Sequence, residues 1–220
     1  VAFIIEHLAG SIDVANKLAA LIDPIKATYF KEETLGSVHK DTVYLTVVDK
    51  DQMAVSMIYS IFHSFGSGMA SKKFGINFQN RGAGFTLERG HPNEAAGFKR
   101  PMHTIIPGIL RQSDKFTMPF GVMGGAYQPN GHVRYMSNLV DFDMNIQEAI
   151  DGPRSFYDNG DLMLERGYTN LVRDGLKNMG HKVEVPNSPI GGGQAIKINW
   201  ELGVLEGASD PRKDGCAIGY

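Results

Sequence analysis

The side chains that could do chemistry in this 220-residue chain lack most of their familiar arrangements. Cys216 is the one cysteine, which excludes an intrachain disulfide and any thiolate cluster for zinc or iron–sulfur. The seven histidines include no pair at metal-ligand spacing on a helix, and each reads as a surface or core residue. There is no Walker-type phosphate loop, no G-x-G-x-x-G after a strand, no H-E-x-x-H and no G-x-S-x-G nucleophile elbow. What remains is Asp41-Thr42 at the mouth of a β-branched run, the pair Gly124-Gly125, and Pro211-Arg212. Taken singly, each has a structural reading: a strand start, a turn, an arginine in a loop.

The elements that must position these residues are partly legible. Val14, Leu18, Leu21 and Ile22 recur at helical spacing from Ile12 to Ile22, with Asp13 placed to cap the start and Asp23-Pro24 ending the run. Ala27 to Lys40 is charged and turn-prone, an exposed connector open to cleavage. Thr42 to Asp49 and Met53 to Phe62, joined by the polar turn Lys50 to Gln52, predict a hairpin of two strands rich in β-branched and aromatic residues. Shorter strands are expected at Gly75 to Phe78, Thr104 to Leu110 and Lys115 to Phe120. Helices are expected at Met144 to Ile150 and at Tyr168 to Met179, the second closed by Gly180. Ala195 to Trp200 and Val204 to Leu205 form a last hairpin. Strands and helices interleave without regular βαβ alternation, so the expected class is α+β with a mostly antiparallel sheet.

Composition narrows the partners. With 42% hydrophobic and 10% aromatic residues the chain can bury a sizeable core. A formal net charge of -2 from interspersed charges gives no footprint for nucleic acid or for an anionic membrane surface, and a small-molecule substrate is the easier reading. No apolar stretch is long enough to span a bilayer, and the first ten residues lack the flanks of a signal peptide. The chain opens without methionine, as though cut from something longer. The compartment stays open, with the cytoplasm slightly favoured by the lone cysteine.

The order of the pieces carries more than any one of them. DTVYLTVVD (Asp41 to Asp49), FGSGM (Phe65 to Met69), FQNRG (Phe78 to Gly82), KRPMHTIIP (Lys99 to Pro107), VMGGAYQP (Val122 to Pro129), AIDGPR (Ala149 to Arg154) and GASDPR (Gly207 to Arg212) together resemble the gamma-glutamyltranspeptidase family. Upstream, ALIDPIKA (Ala20 to Ala27) is similar to the end of that family's large subunit. The resemblance implies a four-layer αββα N-terminal nucleophile hydrolase fold. It also implies a precursor that cuts itself between Asp41 and Thr42, so that residues 1–41 end the large subunit and 42–220 form the small catalytic one. Thr42 falls on the family's nucleophile, Gly124 and Gly125 on its oxyanion-binding glycine pair, and Ser60 on a hydroxyl that orients the nucleophile, the alternative being a plain strand serine. No metal or organic cofactor is implied. The implied partner is the large subunit of the same precursor.

The substrate side departs from the family. Where typical members place acidic residues for the glutamyl α-ammonium, this chain reads Arg81-Gly82-Ala83-Gly84-Phe85. Where they place a serine pair for the α-carboxylate, it reads His103-Thr104. Gaining Arg81 and losing the carboxylates disfavours a zwitterionic head and favours a simply anionic acyl group. The segments resemble the branch that includes oxamate amidohydrolase. The expected substrate is a small carboxylate-bearing or gamma-glutamyl-like amide, with Arg81, His103 and Thr104 on the substrate side. A structural ion pair is the alternative for Arg81, and a core hydrogen bond for His103. Two other readings stand beside this one: true gamma-glutamyl transfer from glutathione, and an unprocessed, non-enzymatic member of the family.

Overall fold

A computed structural model describes residues 12–28, 40–112 and 114–220. Most of the expected connector and the first eleven residues lie outside the described residues. The first helix, α1 (Ile12–Ala19), forms where the periodicity placed it.

Strands β1 (Lys40–Val48) and β2 (Ala54–His63) pair antiparallel as the expected hairpin. Asp49 closes the turn by accepting the N–H groups of Asp51 and Met53 at 2.9 and 2.8 Å. Side chains alternate across a strand, so Thr42, Tyr44 and Thr46 share one face with their partners Ser60, Ile58 and Ser56. The other face carries the pairs Val43–Tyr59, Leu45–Met57 and Val47–Val55, and all six side chains are exposed.

The polar face lies on a second, four-stranded antiparallel sheet of order β3-β4-β8-β9. Its strands are β3 (Gly108–Gln112), β4 (Phe116–Met123), β8 (Gly192–Asn199) and β9 (Val204–Ser209). The Tyr44 ring lies so close over Gly121 that a Cβ there would come within 2.3 Å of it. Ser56 ties the two sheets, sharing a hydrogen bond with the Tyr44 hydroxyl at 2.8 Å and donating to the Gly108 carbonyl at 2.9 Å.

Helices α2 (Gln128–Val140) and α3 (Ile146–Asp151) cover the far face of that sheet. Between them and the strands sits the core of Met118, Phe120, Tyr135, Ile146, Ala149, Ile150, Ala195 and Ala208. Because β4 is covered on both sides, it reads in sequence as a continuous apolar run rather than an alternation. Asn145 starts α3 with a capping box, accepting the N–H groups of Gln147 and Glu148 while Glu148 reaches back to its own N–H. A third sheet, β5 (Ser155–Asp158), β6 (Asp161–Leu164) and β7 (Val183–Glu184), sits beside α4 (Asn170–Asn178). Thr169 caps α4, and Gly180 closes the turn after it at φ +98°.

The expected α+β class is therefore what forms, as helices, sheet and hairpin in successive layers. Three details differ from expectation. Gly75 to Phe78 is not a strand: Asn77 makes only an isolated bridge to Ala70, in a segment that turns at Gly75. The stretch expected as a strand from Thr104 pairs only from Gly108 onward. Helix α2 and the β5–β6 hairpin were not expected at all.

Candidate active site

Thr42 sits on the inward face of β1, where its hydroxyl donates to Ser60 Oγ at 3.0 Å. The pairing around it is irregular. Asp41 lies opposite Phe62 and Thr42 opposite Ser60, so Ile61 is an extra residue bulged out of β2 beside the Asp41–Thr42 peptide. Phe62 consequently takes φ +76°, a conformation disfavoured for a bulky side chain. Its N–H donates to Ser60 Oγ at 3.2 Å.

Two further groups brace this corner. Arg81, at the head of a short 3-10 turn (Arg81–Gly84), donates from Nη2 to Ser60 Oγ at 2.8 Å, and its guanidinium carbon lies 4.9 Å from the centre of the Phe62 ring. Burial pulls the Arg81 pKa below its ordinary value, yet arginine remains charged at neutral pH. Asn80 clasps the end of β2. Its Oδ1 accepts the His63 N–H at 3.0 Å, its Nδ2 donates to His63 Nδ1 at 2.8 Å, and its own N–H bonds the Ile61 carbonyl at 3.2 Å. An amide nitrogen only donates, so His63 Nδ1 is the acceptor and the ring carries its proton on Nε2. Asn80 and His63 were not singled out in the sequence; Asn80 stands inside the FQNRG segment that supplied Arg81.

Gly124 and Gly125 follow the end of β4 with φ +131° and +61°, which favour glycine. Gly124 also lies against Gly191 at the start of β8, where an added Cβ would come within 2.7 Å of the Gly191 Cα. Thr104 donates to the Gly125 carbonyl at 2.7 Å, which fixes the orientation of that peptide. Tyr44 on Gly121 shows how the hairpin crosses β4. Thr42, two residues from Tyr44 on the same face, points to the sheet that carries the glycine pair.

The remaining residues divide between surface and scaffold. His103 is exposed, with Nδ1 accepting the Ile105 N–H at 3.3 Å. Met123 and Tyr127 are buried, the Tyr127 ring edge-on to Phe156, so packing accounts for them. Arg212 is a scaffold residue. It forms a two-pronged pair with Glu165, Nε to Oε1 at 3.0 Å and Nη2 to Oε2 at 2.8 Å, and it caps the end of α3 by donating to the carbonyls of Ile150, Asp151 and Gly152. Burial works to raise the Glu165 carboxyl, but Arg212 and the N–H groups of Ile190 and Arg154 outweigh it and hold the pKa below its usual range. Alongside, the buried Asp210 carboxylate pairs with Arg154 and accepts the Gly193 N–H at 2.8 Å. This network joins α3 and the C-terminal segment to the start of β8, next to the glycine floor. Among the described residues, no three His, Cys, Asp or Glu side chains gather where they could hold a metal ion. No helix among them is long and apolar enough to cross a membrane.

The family model described as gamma-glutamyltranspeptidase matches residues 5–220. The chain is 36% identical over 191 residues to a glutathione hydrolase-like proenzyme of Bacillus subtilis (strain 168), covering 83% of this chain and 36% of that one. It is 38% identical over 189 residues to the oxamate amidohydrolase proenzyme of Klebsiella pneumoniae, covering 82% and 36%. The crystal structure of a cephalosporin acylase from Bacillus halodurans superimposes with a TM-score of 0.82 at 36% identity, covering 96% of this chain and 39% of that chain. The chain thus spans little more than a third of the length of these proteins.

Proposed function

Because the chain belongs to the gamma-glutamyltranspeptidase family, we propose that it carries the catalytic centre of a self-processing amidohydrolase in which Thr42 becomes both nucleophile and base. The observation that carries this reading is the Thr42–Ser60 hydrogen bond set against a bulge at the Asp41–Thr42 peptide. The bulge takes this bond out of regular pairing, and Ser60 orients the hydroxyl beside it.

In the precursor, Thr42 Oγ1 attacks the Asp41 carbonyl carbon. The C–N bond breaks as the acyl group passes to oxygen, and the Thr42 nitrogen leaves as an amine. Water then hydrolyses the ester, so that Asp41 ends one chain and Thr42 begins the next. Residues up to 41 thereby close the large subunit, and 42–220 form the small one. The new α-amine, whose ordinary pKa is about 7.7 to 8.0, takes the hydroxyl proton that an amide nitrogen could not accept. Thr42 Oγ1 next attacks the substrate amide. The oxyanion is met by the N–H groups of Gly124 and Gly125, the amine leaves with the proton, and water or an acceptor amine releases the acyl group.

The substrate we propose is a small amide whose acyl part bears a carboxylate, recognised from the side of Arg81, His103 and Thr104. The likeness to an oxamate amidohydrolase proenzyme supports it. The large subunit of the same precursor is the proposed partner, and the exposed ladder Val43, Leu45, Val47, Val55, Met57 and Tyr59 is the surface that fits it, an apolar face of the kind a further layer of helices covers. Thr42→Ala is expected to abolish both cleavage, read by intact mass, and amide hydrolysis. Efficient cleavage of that variant would overturn the assignment. Faster release of glutamate from glutathione than of ammonia from oxamate would overturn the substrate class alone.

A further inference from the structure

Ser60 Oγ receives three donors: the Thr42 hydroxyl at 3.0 Å, the Phe62 N–H at 3.2 Å and Arg81 Nη2 at 2.8 Å. A hydroxyl oxygen offers two lone pairs, so the three donors share them, and because a guanidinium or a backbone N–H can only donate, these contacts hold Ser60 in one orientation. Arg81 is held in turn. Its backbone N–H donates to Gln79 Oε1, and its guanidinium lies over the Phe62 ring, whose own backbone is set by the bulge. A fixed cation therefore stands two hydrogen bonds from Thr42 Oγ1.

The other titratable groups on the elements around Thr42 do not offset it. Burial raises the pKa of the Tyr44 phenol and so favours its neutral form, and its hydroxyl is engaged by Ser56. Tyr59 faces the opposite side of the hairpin, and His63 gives its Nδ1 lone pair to Asn80. From β4, Phe116 to Met123 brings no charged side chain, and on β8 Lys197 is paired with Glu206. The Asp41 side chain lies outside the described residues.

We propose that Arg81 is a positioning residue for the nucleophile: through Ser60 it aims the Thr42 hydroxyl, and its charge keeps the freed Thr42 α-amine in the neutral, proton-accepting form. This rests on the reading of Thr42 as a processed terminus. A like charge a few ångströms away disfavours the ammonium, while the same charge favours the oxyanion that forms on Thr42. At an effective dielectric of about 20 to 40, a separation on the order of 6 Å lowers the amine pKa by roughly one to two units. The role differs from gripping substrate, since it operates in the empty enzyme.

The test is the titration of the α-amine in processed protein labelled with [15N]threonine, followed by NMR in the wild type, Arg81→Lys and Arg81→Gln, after intact mass has verified cleavage before Thr42. The wild-type amine is expected to titrate at least one pH unit below the ordinary range of about 7.7 to 8.0. Lysine should preserve most of that depression and glutamine should abolish it, with the acid limb of oxamate kcat/KM moving in parallel. An amine that titrates alike in the wild type and in Arg81→Gln overturns the proposal. Should Arg81→Gln remain uncut, the cleavage rate becomes the readout: rescue by Arg81→Lys supports the proposal, and equal failure of both variants overturns it. Absence of cleavage in the unaltered chain would instead defeat the functional reading on which this rests.

Discussion

At the scale of single residues, the site ties the Thr42 hydroxyl through Ser60 to Arg81 and the Phe62 N–H. Removing Ser60 Oγ takes away the acceptor of the Thr42 hydroxyl and leaves Arg81 Nη2 and the Phe62 N–H without it. Ser60→Ala is therefore expected to lower kcat by about tenfold or more with little change in KM, since a hydrogen bond of about 1.5 kcal/mol corresponds to roughly that factor. An equal loss in both constants would place Ser60 on substrate. Gly124→Ala puts a methyl group 2.7 Å from the Gly191 Cα at a φ of +131° and must shift the turn. If the proposed oxyanion role holds, a loss in kcat of about 10²–10³ is expected, the usual cost of displacing such a donor. How far this centre could be read in advance differs residue by residue. Thr42 and the glycines fell on ordered motifs, and Ser60 on the position where the family places an orienting hydroxyl, so these candidates were legible. The bond from Arg81 to Ser60 was not, because it spans twenty-one positions and depends on how Asn80 clasps β2. Thr104 illustrates the same limit: nothing in its spacing from Gly125 foretold the bond it makes to that carbonyl.

At the scale of elements, the hairpin was legible because its two β-branched runs alternate by face, hydroxyl-bearing on the inner side and apolar on the outer. Helix α2 was not. Pro129 and Gly131 read as breakers, but proline is tolerated in the first turn, and Gly131 is a packing residue, since a Cβ there would come within 2.6 Å of Val122 and 2.7 Å of Tyr127. The β5–β6 hairpin does carry a sequence signal: Asn159-Gly160, both at positive φ, make the tight turn that this dipeptide favours. Gly121 tests the packing of hairpin on sheet. Gly121→Ala collides with the Tyr44 ring and is expected to destabilise the protein by about 1–3 kcal/mol, read as a lower midpoint in urea. An unchanged midpoint would mean that the two sheets are not held together there.

At the scale of the whole molecule, the chain has the α+β fold of N-terminal nucleophile hydrolases, and its stability should fall in two stages on acidification. Burial lowers the pKa of His132 in the fold, so the unfolded chain takes up a proton first and stability drops as pH falls below about 6.5. Glu165, held below its usual pKa, contributes stability that is present above its unfolded value and is lost as pH falls through the lower folded one, below about 4.5. Urea midpoints from pH 8 to pH 3 should show both steps. Arg212→Ala should shrink the lower step and cost about 3 kcal/mol at neutral pH, because the part-buried Glu165 carboxylate keeps only the Ile190 and Arg154 N–H groups. A single transition near pH 4 in the wild type would rule out the His132 contribution.

The contact between Gly124 and Gly191 bears on how such a site can change over generations. In most cores a substitution that grows one side chain can be answered by shrinking its neighbour. Here bare backbone stands on both sides, because a Cβ on Gly124 would meet the Gly191 Cα, and a Cβ on Gly191 would meet the Met123 carbonyl at 2.6 Å as well as the Tyr127 ring. Trimming a side chain cannot move that backbone, so the glycine floor has few mutational neighbours that keep its shape. The exposed loops around Arg81 and His103 carry no such lock. On the proposed placement of the substrate side, changes of preference have room in those loops and little in the floor, and random libraries aimed at altered specificity should return most of their active variants from the loops.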